Sequence, residues 1–400
     1  MSSRPPRIIH LANYGASYAG SFIPMVMALA RSVRARGWSA ELVFPESARG
    51  REWLSSFEEA GVPYHVLDLG AGGGGARWAA AFATEATAGR WQGHVARWIA
   101  ELLAADPGPT VLHTQFTLFD MPAAEAARSA PATRVVWHEQ SARPDGLVGE
   151  VGGALRYRLF ARNVSAILCV APDIAEVVAR QGAGDRASVL PNAVDTERFS
   201  PARLSRRDAV RESLGVAPDA TMLLHFGWHW ERKGGDVYLA TVRSLLAGTD
   251  PPALRAFTVG GEPARSAVAA ARLEDAVTVL APTAHVEDLY AAADVFVSPS
   301  RAEGMPFAVL EALAVGVPVV ASDIPGQAVI ARSVPSCWVT ALRPHAIAEA
   351  IREVLALDPA LRELRREASR DWILANAGLE WWSRTLLATY DRVLSTTGDR

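Results

Sequence analysis

The stretch SPSRAEGMPFAVLEALAVGVPVVAS, residues 298–322, decides the fold of the chain. The apolar run 293–297 ahead of it predicts a buried strand, and residues 307–315, which follow a proline, predict a short helix. Gly316 suits a left-handed helix end, and residues 317–321 predict the next strand. Strand, loop, helix and strand in this order form the repeating unit of a parallel sheet.

Two carboxylates give this stretch its chemical character. Glu303 lies in the predicted loop and Glu311 lies in the predicted helix. The start of that helix leaves the N–H groups of Phe307 and Ala308 without helical partners, and the helix dipole adds positive charge there. Carboxylates accept hydrogen bonds from sugar hydroxyls, and free amides donate to phosphate oxygens. Either glutamate alone suits an ordinary loop or helix, whereas the combination indicates a site for sugar and phosphate groups.

Length and composition exclude several classes of protein. With 400 residues, of which 50% are hydrophobic and 21% charged, the chain is globular and long enough for two domains. A net charge of -3 gives no overall field that would recruit nucleic acid. No apolar run approaches the ~18 residues of a membrane span, and the N-terminus does not resemble a signal peptide. Peripheral contact with a membrane is left open.

The two cysteines indicate the cellular compartment. Cys169 and Cys337 both lie in apolar runs, which predicts buried thiols and neither a disulfide framework nor a zinc site. We therefore expect a cytoplasmic protein.

Strands and helices alternate through the first half of the chain, beginning with a strand over 7–12 and a helix over 22–36. This alternation predicts an α/β domain with a doubly wound sheet. The loop over 13–21 contains glycines, as phosphate-binding loops do, but it has neither GxGxxG nor GxxxxGK[ST]. A plain turn therefore fits this loop as well as a phosphate site does.

Later segments of the chain give weaker signals. The glycine-rich stretch 70–75 predicts a connection, and residues 78–103 predict a helix with a break near Gly89 and Gly93. A last helix is predicted over 372–394, where the apolar residues recur at helical spacing.

Two histidines lie at the ends of predicted strands in the first half. His113 and His138 end or follow the predicted strands 110–113 and 133–137. The carboxyl edge of a parallel sheet is where α/β proteins bind ligands. A lone histidine is more often structural, so at this point both roles remain open.

Arg232 and Lys233 stand just before a helix predicted over 236–246. Two adjacent cations at a helix start suit a diphosphate, because two positive charges and the dipole meet two negative charges. A solvated basic turn is the alternative. Lys233 is also the only lysine among 40 basic residues. A GC-rich coding bias explains the excess of arginine, and a lysine that survives such a bias hints that an ammonium is needed.

Together these motifs resemble the signature of GT-B glycosyltransferases of the GT4 type, most densely over residues 227–322. That family has a Glu-Gly loop before a helix with a second glutamate, followed by Gly-x-Pro-Val. The matching residues are Glu303-Gly304, Glu311 and 316–319. The resemblance implies two Rossmann-like domains that face each other across a cleft, with a last helix that crosses back to the first domain.

The domain boundaries follow from the resemblance and from a polar, basic segment at 201–207. We expect an acceptor-binding domain over 1–200, a nucleotide-sugar-binding domain over 201–375, and a C-terminal helix over 376–400 that contacts the first domain.

The resemblance also implies the reaction and its residues. It implies transfer of a sugar from a nucleotide-sugar donor with retention of anomeric configuration, with no required metal or cofactor. The implied catalytic residues are His138, Lys233 and Glu303. The implied donor-binding residues are Gly20, Gly227, Arg232, Lys233, Glu303, Gly304, Met305, Phe307, Ala308 and Glu311.

This chain departs from the family pattern at two positions. Trp228 stands where the family has an arginine, so we expect Arg232 to supply that phosphate contact. Ala19 precedes Gly20, where the family often has a second glycine.

In the implied mechanism, Lys233, Arg232 and the amide of Gly20 neutralise the leaving diphosphate. Glu303 orients the hydroxyls of the donor sugar and Glu311 binds the ribose. Because Glu311 is engaged in this way, no second carboxylate is available for a covalent intermediate, and a same-face transfer is favoured. The acceptor, whether small molecule, lipid or glycan, is not identified. A nucleotide-sugar epimerase and a non-catalytic nucleotide-binding protein are the alternatives.

Overall fold

The computed structural model describes residues 4–68, 85–140, 147–247 and 253–395. The chain forms two compact units: unit 1 comprises residues 1–191 and 382–400, and unit 2 comprises residues 192–381. The predicted connection over 70–75 lies outside the described residues.

Unit 1 contains a parallel sheet of seven strands among its described residues. The strands are β1 Arg7–Ala12, β2 Ser39–Pro45, β3 Tyr64–Leu67, β4 Thr110–Gln115, β5 Thr133–Glu139, β6 Ala166–Cys169 and β7 Ala187–Val189. Their order is β3-β2-β1-β4-β5-β6-β7, so the direction of the chain across the sheet reverses between β1 and β4. Every residue of β1 and β4 is buried, as expected for central strands covered on both faces.

Helices connect these strands. They are α1 Phe22–Ala35, α2 Ser55–Glu59, α3 Glu85–Ala105, α4 Asp120–Ala126, α5 Leu147–Phe160 and α6 Pro172–Val178. The predicted break in α3 is wrong, because the helix runs without interruption through Gly89 and Gly93. A glycine costs a helix interior only about 1 kcal/mol, and the buried stripe Val95, Ile99 and Leu103 holds this helix in place.

Unit 2 repeats the same plan with six strands among its described residues. They are β8 Thr221–Phe226, β9 Leu254–Val259, β10 Val277–Leu280, β11 Val295–Ser298, β12 Val319–Ser322 and β13 Cys337–Thr340. The order is β10-β9-β8-β11-β12-β13, and all pairs are parallel.

The helices of unit 2 lie between and after these strands. They are α7 Arg207–Ser213, α8 Gly235–Leu246, α9 Glu262–Ala271, α10 Val286–Ala292, α11 Phe307–Val315, α12 Pro325–Ala331, α13 Pro344–Leu355 and α14 Pro359–Asn376. Helix α11 has the predicted bounds, and Gly316 ends it at φ 98°, as predicted. Residues 309–315 are all buried, which explains why this helix is apolar on every side except at Glu311.

The last helix, α15 Leu379–Ser395, begins later than predicted. Trp372 belongs to α14. Ala377 and Gly378 are not helical and separate α14 from α15. Helix α15 belongs mostly to unit 1, where Trp382 and Tyr390 are completely buried. The predicted fold class, two Rossmann-like α/β domains with a C-terminal helix that returns to the first, is confirmed. Among the described residues, no helix combines the length and the apolar composition needed to cross a bilayer.

Candidate functional site

In unit 2, the segments that follow β8 and β11 lie side by side, because these parallel strands are neighbours. The amide of Arg301 donates to the carbonyl of Arg232 at 2.8 Å and ties the two segments together. Gly234 has φ 69°, and a Cβ there would lie 1.8 Å from the carbonyl oxygen of Pro299. Only glycine therefore allows this approach, which brings the start of α8 against the loop before α11.

A buried carboxylate between two cations forms the centre of the site. Lys233 Nζ lies 2.5 Å from Glu303 Oε1, and Arg232 Nη1 lies 3.0 Å from Glu303 Oε2. The Glu303 side chain is 8% exposed, whereas that of Arg232 is 45% exposed. Burial alone raises the pKa of Glu303, but the charges of Lys233 and Arg232 outweigh it, so the pKa is lowered below its ordinary value. The trio therefore carries one net positive charge at neutral pH.

The backbone of Lys233 is positioned by a buried histidine. His225 Nε2 lies 3.1 Å from the carbonyl oxygen of Lys233, and His225 Nδ1 lies 2.9 Å from Thr258 Oγ1. Burial lowers the pKa of His225 to about 4, so the ring is neutral at pH 7. A neutral ring donates from one nitrogen and accepts at the other. Since the carbonyl can only accept, Nε2 carries the proton and Nδ1 accepts from Thr258.

Gly227 and Trp228 lie at the end of β8. A Cβ on Gly227 would lie 3.0 Å from Thr258 Oγ1 and from the ring of Trp230, so a side chain there would collide with its neighbours. The Trp228 ring contacts the Phe226 ring, with centroids 4.9 Å apart. An indole supplies no positive charge, so the family's arginine has no replacement at this position.

The second carboxylate, Glu311, is buried in α11 next to a tyrosine. The hydroxyl of Tyr290 lies 2.8 Å from Glu311 Oε2 and 2.9 Å from the carbonyl oxygen of Ala308. Burial raises the pKa of Tyr290 well above its ordinary value, and the charge of Glu311 adds to this, so the hydroxyl stays protonated. Within the described residues, the amides of Phe307 and Ala308 make no hydrogen bond. They remain available as donors at the start of α11.

Two further contacts hold the loop that carries Glu303 and Gly304. Asn192 Nδ2 donates to the carbonyl oxygen of Met305 at 2.9 Å. A Cβ on Gly326 would lie 2.0 Å from the carbonyl oxygen of Gly304, so the start of α12 supports the loop by direct backbone contact. Sequence reasoning did not identify Gly326, Tyr290 or His225, because each acts through a contact between distant segments. The one local sequence signal for Gly326 is its position directly after the proline that starts the helix.

Arg301 is a further residue that sequence reasoning missed. Its guanidinium makes two hydrogen bonds to Asp236, at 2.7 and 2.9 Å, and so joins the loop after β11 to the first turn of α8. The pair fixes the relative position of the two loops that carry Glu303 and Lys233.

The remaining predicted site residues belong to unit 1. Gly20 lies in the loop after β1 with φ 56°, a conformation that favours glycine. The hydroxyl of Tyr14 lies 2.8 Å from the carbonyl oxygen of Tyr18 and 3.1 Å from that of Ala19, and so braces this loop.

His113 and His138 lie inside strands near their carboxyl ends and do not follow them, because the predicted ends of both strands are wrong. Strand β4 continues to Gln115 and β5 continues to Glu139. His138 is 1% exposed, and its Nδ1 lies 3.3 Å from His113 Nε2. Burial is the main reason that the pKa of His138 is lowered to about 3, so the ring is neutral at pH 7.

Metal-binding arrangements are absent from the part of the chain that the structure describes. No group of three or more His, Cys, Asp or Glu side chains is placed there to hold a metal ion.

Comparison with known proteins was made by family models, by sequence and by structure. A model described as glycosyl transferases group 1 matches residues 220–357, and a glycosyl transferase 4-like domain matches residues 23–193. The D-inositol 3-phosphate glycosyltransferase of Geodermatophilus obscurus is 34% identical over 304 residues, which cover 70% of this chain and 60% of that protein. The putative teichuronic acid biosynthesis glycosyltransferase TuaC of Bacillus subtilis is 32% identical over 198 residues, 49% of each chain. The chain thus spans about half to three-fifths of the length of these relatives.

Solved structures show the same fold. A glycosyltransferase from Rickettsia africae has a TM-score of 0.79 at 15% identity, with 98% of this chain and 100% of that chain covered. HepE from Anabaena, in complex with UDP-glucose, has a TM-score of 0.74 at 18% identity, with 96% of this chain and 99% of that chain covered. The two family models match in chain order, one on each unit, and the motif resemblance is confirmed. The chain therefore belongs to the GT4 family of glycosyltransferases with the GT-B fold.

Proposed function

We propose that the protein transfers a sugar from a nucleotide-sugar donor to an acceptor, with retention of anomeric configuration. The observation that carries the proposal is the buried Glu303 held between Lys233 and Arg232 at the carboxyl edge of the unit 2 sheet. Glu311 lies in α11, the helix that follows the Glu303 loop in the same stretch of sequence. HepE, which has the same fold, was crystallised with UDP-glucose, and this supports a nucleotide sugar as the donor.

The diphosphate of the donor would be held by the net positive trio. Both cations are paired with Glu303, so the trio offers one uncompensated positive charge. Negative charge on the diphosphate grows as the bond to the sugar breaks, and the preorganised ammonium of Lys233 stabilises that charge. The free amides of Phe307 and Ala308 add donors to an anion at the start of α11. Gly227 lets the end of β8 pack closely against Thr258 and Trp230 beside this site.

The two carboxylates have separate tasks in this proposal. Glu303 accepts hydrogen bonds from hydroxyls of the donor sugar, since each carboxylate oxygen keeps a second lone pair beyond the one used in its ion pair. Glu311 accepts from the ribose. Gly304 and Met305 line the donor beside Glu303, with the Met305 carbonyl fixed by Asn192. The donor-binding role of Gly20 and the catalytic role of His138, both residues of unit 1, stay predictions from the resemblance.

The leaving phosphate itself would take the proton of the acceptor hydroxyl. A covalent intermediate needs a carboxylate about 5–5.5 Å from the first, and the proposal assigns Glu311 to the ribose. Neither a metal nor a cofactor is assigned a role. We also propose a cytoplasmic location, which the two free, buried cysteines support.

The experiment is a screen of nucleotide sugars by native mass spectrometry, followed by assays of donor turnover with and without candidate acceptors. Selective binding of one nucleotide sugar and acceptor-dependent release of its nucleoside diphosphate would support the proposal. Epimerised donor without transfer would indicate an epimerase, and binding without turnover with any acceptor class would indicate a non-catalytic protein. Either result would contradict transfer.

A further inference from the structure

The turn that connects β8 to α8 carries a histidine beside the two cations of the site. In this turn the amide of Lys233 donates to the carbonyl oxygen of His229 at 2.8 Å, so residues 229–233 form a single helical turn. Side chains four residues apart are neighbours on such a turn. The ring of His229 therefore lies on the side of the turn from which Lys233 reaches Glu303.

The turn is held in place by Trp230, the residue that follows His229. A Cβ on Gly235 would lie 2.3 Å from the Trp230 ring, and a Cβ on Gly227 would lie 3.0 Å from it. The ring also meets His225 edge to face, with centroids 6.2 Å apart, and packs against the hydrophobic core of unit 2. Trp230 thus fixes the orientation of the turn, and His229 stays exposed to solvent.

The charges of the trio act on the His229 ring. Partial burial is the largest cause that lowers the pKa of His229, and the positive charges of Arg232 and Lys233 lower it further, whereas Glu303 raises it. A ring on which all three charges act lies close to the trio. Because its pKa is lowered from an ordinary value near 6.5, the ring is mostly neutral at pH 7.

Other charged groups of the neighbouring segments are engaged with one another. Arg301, from the loop after β11, makes two hydrogen bonds to Asp236 in the first turn of α8. Its Nη1 also donates to the carbonyl oxygen of Glu231 at 2.5 Å, and the charge of Glu231 helps to raise the pKa of Arg301. The charges that act most on His229 are therefore those of the trio.

The trio alone does not balance the charge of a diphosphate. It carries one net positive charge, whereas the diphosphate of a nucleotide sugar carries two negative charges. Trp228 supplies no charge at the position where the family has an arginine. A proton on the His229 ring would supply the missing charge, and a bound anion favours that proton, because a nearby negative charge raises the pKa of a histidine.

We propose that His229 is a further residue of the diphosphate site, and that its ring takes up a proton from solvent when the diphosphate binds and donates a hydrogen bond to a phosphate oxygen. The proton adds to the bare ring nitrogen, so the ring changes from neutral to singly positive. This inference rests on the diphosphate site of the proposed function. The added affinity is complete below the pKa of the free ring and is lost as the pH rises through the higher pKa of the ring in the complex.

Binding of inorganic pyrophosphate to the full chain tests this inference, because pyrophosphate requires no knowledge of the base or the sugar. Calorimetric titrations between about pH 5.5 and 8.5 compare the parent with three variants. His229→Gln keeps a hydrogen-bond donor but cannot take up a proton, and His229→Arg carries a permanent charge. His345→Gln is the control, since it removes an exposed histidine of α13 that lies 3.3 Å from Glu349. Protonation of pyrophosphate itself contributes equally in every variant and cancels in the comparison.

We expect the affinity of the parent to rise about tenfold more than that of His229→Gln between the highest and the lowest pH. Such a difference corresponds to a rise of about one unit in the pKa of His229 on binding. His345→Gln should follow the parent, and His229→Arg should bind tightly with no more pH dependence than His229→Gln. Equal pH profiles in the parent and in His229→Gln would overturn the role of His229.

Lys233→Ala separates that result from a failure of the site itself. We expect this variant to bind pyrophosphate more weakly than the parent at every pH. Equal affinity in Lys233→Ala and the parent would show that the anion binds elsewhere, and would overturn the diphosphate site together with the role of His229. If pyrophosphate binding depends on both residues but the protein transfers no sugar, the proposed function fails while the proton-linked anion site stands.

Discussion

Lys233 is the one lysine of the chain, and its ammonium lies 2.5 Å from a buried carboxylate. An ammonium is a compact charge, whereas a guanidinium is a planar fork, so arginine does not occupy the same point. The pairing with Glu303 gives this charge a fixed position before any donor is bound. Such preorganisation is what makes an electrostatic group effective in a transition state.

We expect Lys233→Ala to lower turnover about 10²–10³-fold while the free nucleoside still binds, because the lost charge matters most as the diphosphate leaves. Lys233→Arg should recover part of the rate. Steady-state kinetics with calorimetric binding measures both effects. Arg243→Ala is the control, since Arg243 is an exposed cation of α8 that contacts the Ala271 carbonyl. Parent-like turnover in Lys233→Ala would refute the phosphate role.

A substitution of Glu311 would affect both donor binding and the stability of the fold, because its carboxylate also accepts a hydrogen bond from Tyr290. If it holds ribose hydroxyls, Glu311→Ala should weaken donor binding by roughly 1–3 kcal/mol. Tyr290→Phe keeps the carboxylate and removes the buried hydroxyl, so it should affect thermal stability more than donor affinity. Calorimetry on folded variants decides: equal donor affinity in Glu311→Ala and the parent would rule out the ribose assignment.

At the scale of elements, the site depends on how closely α8 approaches the loop after β11. Gly234 and Gly215 both have left-handed φ, at 69° and 67°, but only at Gly234 would a Cβ meet the backbone of another segment. Gly215 has open space around it. Substitutions at the two glycines therefore distinguish the free-energy cost of a left-handed conformation from the cost of a steric clash with another segment.

We expect Gly215→Ala to lose about 1–2 kcal/mol of stability, the cost of a left-handed alanine. Gly234→Ala should lose more, and it should also weaken donor binding, because Pro299 and the loop that carries Glu303 must shift. Thermal melting and donor titration of both variants provide the comparison. Equal losses of stability with unchanged donor binding in both would contradict the role of this contact.

The elements also show what the sequence could predict and what it could not. Helix α11 was predicted with its bounds because Gly316 and the apolar run are local signals. Strands β4 and β5 were predicted to end too early. In a sequence, polar residues such as histidine, threonine and glutamine after an apolar run indicate the end of a buried strand. In the fold these strands continue into the interior, and some of their polar atoms find partners there, for example Gln115 Oε1, which lies 2.9 Å from His10 Nε2.

The same distinction applies to the site. Glu303, Glu311 and Lys233 could be identified because each lies in a short local motif of the family, and their roles stay predictions. His225, Tyr290 and Arg301 could not be found, because each is defined by a partner far away in the chain. A single sequence carries no signal for such contacts beyond the residue type itself.

At the scale of the whole molecule, we propose that side chains supply the positive charge needed for the reaction. With Glu303 between them, Arg232 and Lys233 would offset part of the negative charge of a diphosphate without a divalent cation. We therefore expect transfer activity to survive treatment with EDTA. The measurement is initial rate after chelation, with and without added manganese or magnesium. Activity that is lost on chelation and restored by either ion would show that the phosphate site has been misassigned.

Unit 1 is discontinuous in sequence, because α15 is joined to it after the whole of unit 2. During synthesis on the ribosome, the strands of unit 1 emerge first, but residues 382–395 emerge only when unit 2 is already made. Until then the places of Trp382, Leu386 and Tyr390 in the core of unit 1 are empty. The N-terminal half is therefore the first to be translated and the last to be completed, so a stalled or shortened chain would lack the Tyr390 and Trp382 rings that contact His113 and His138, and would present an incomplete core to chaperones and proteases.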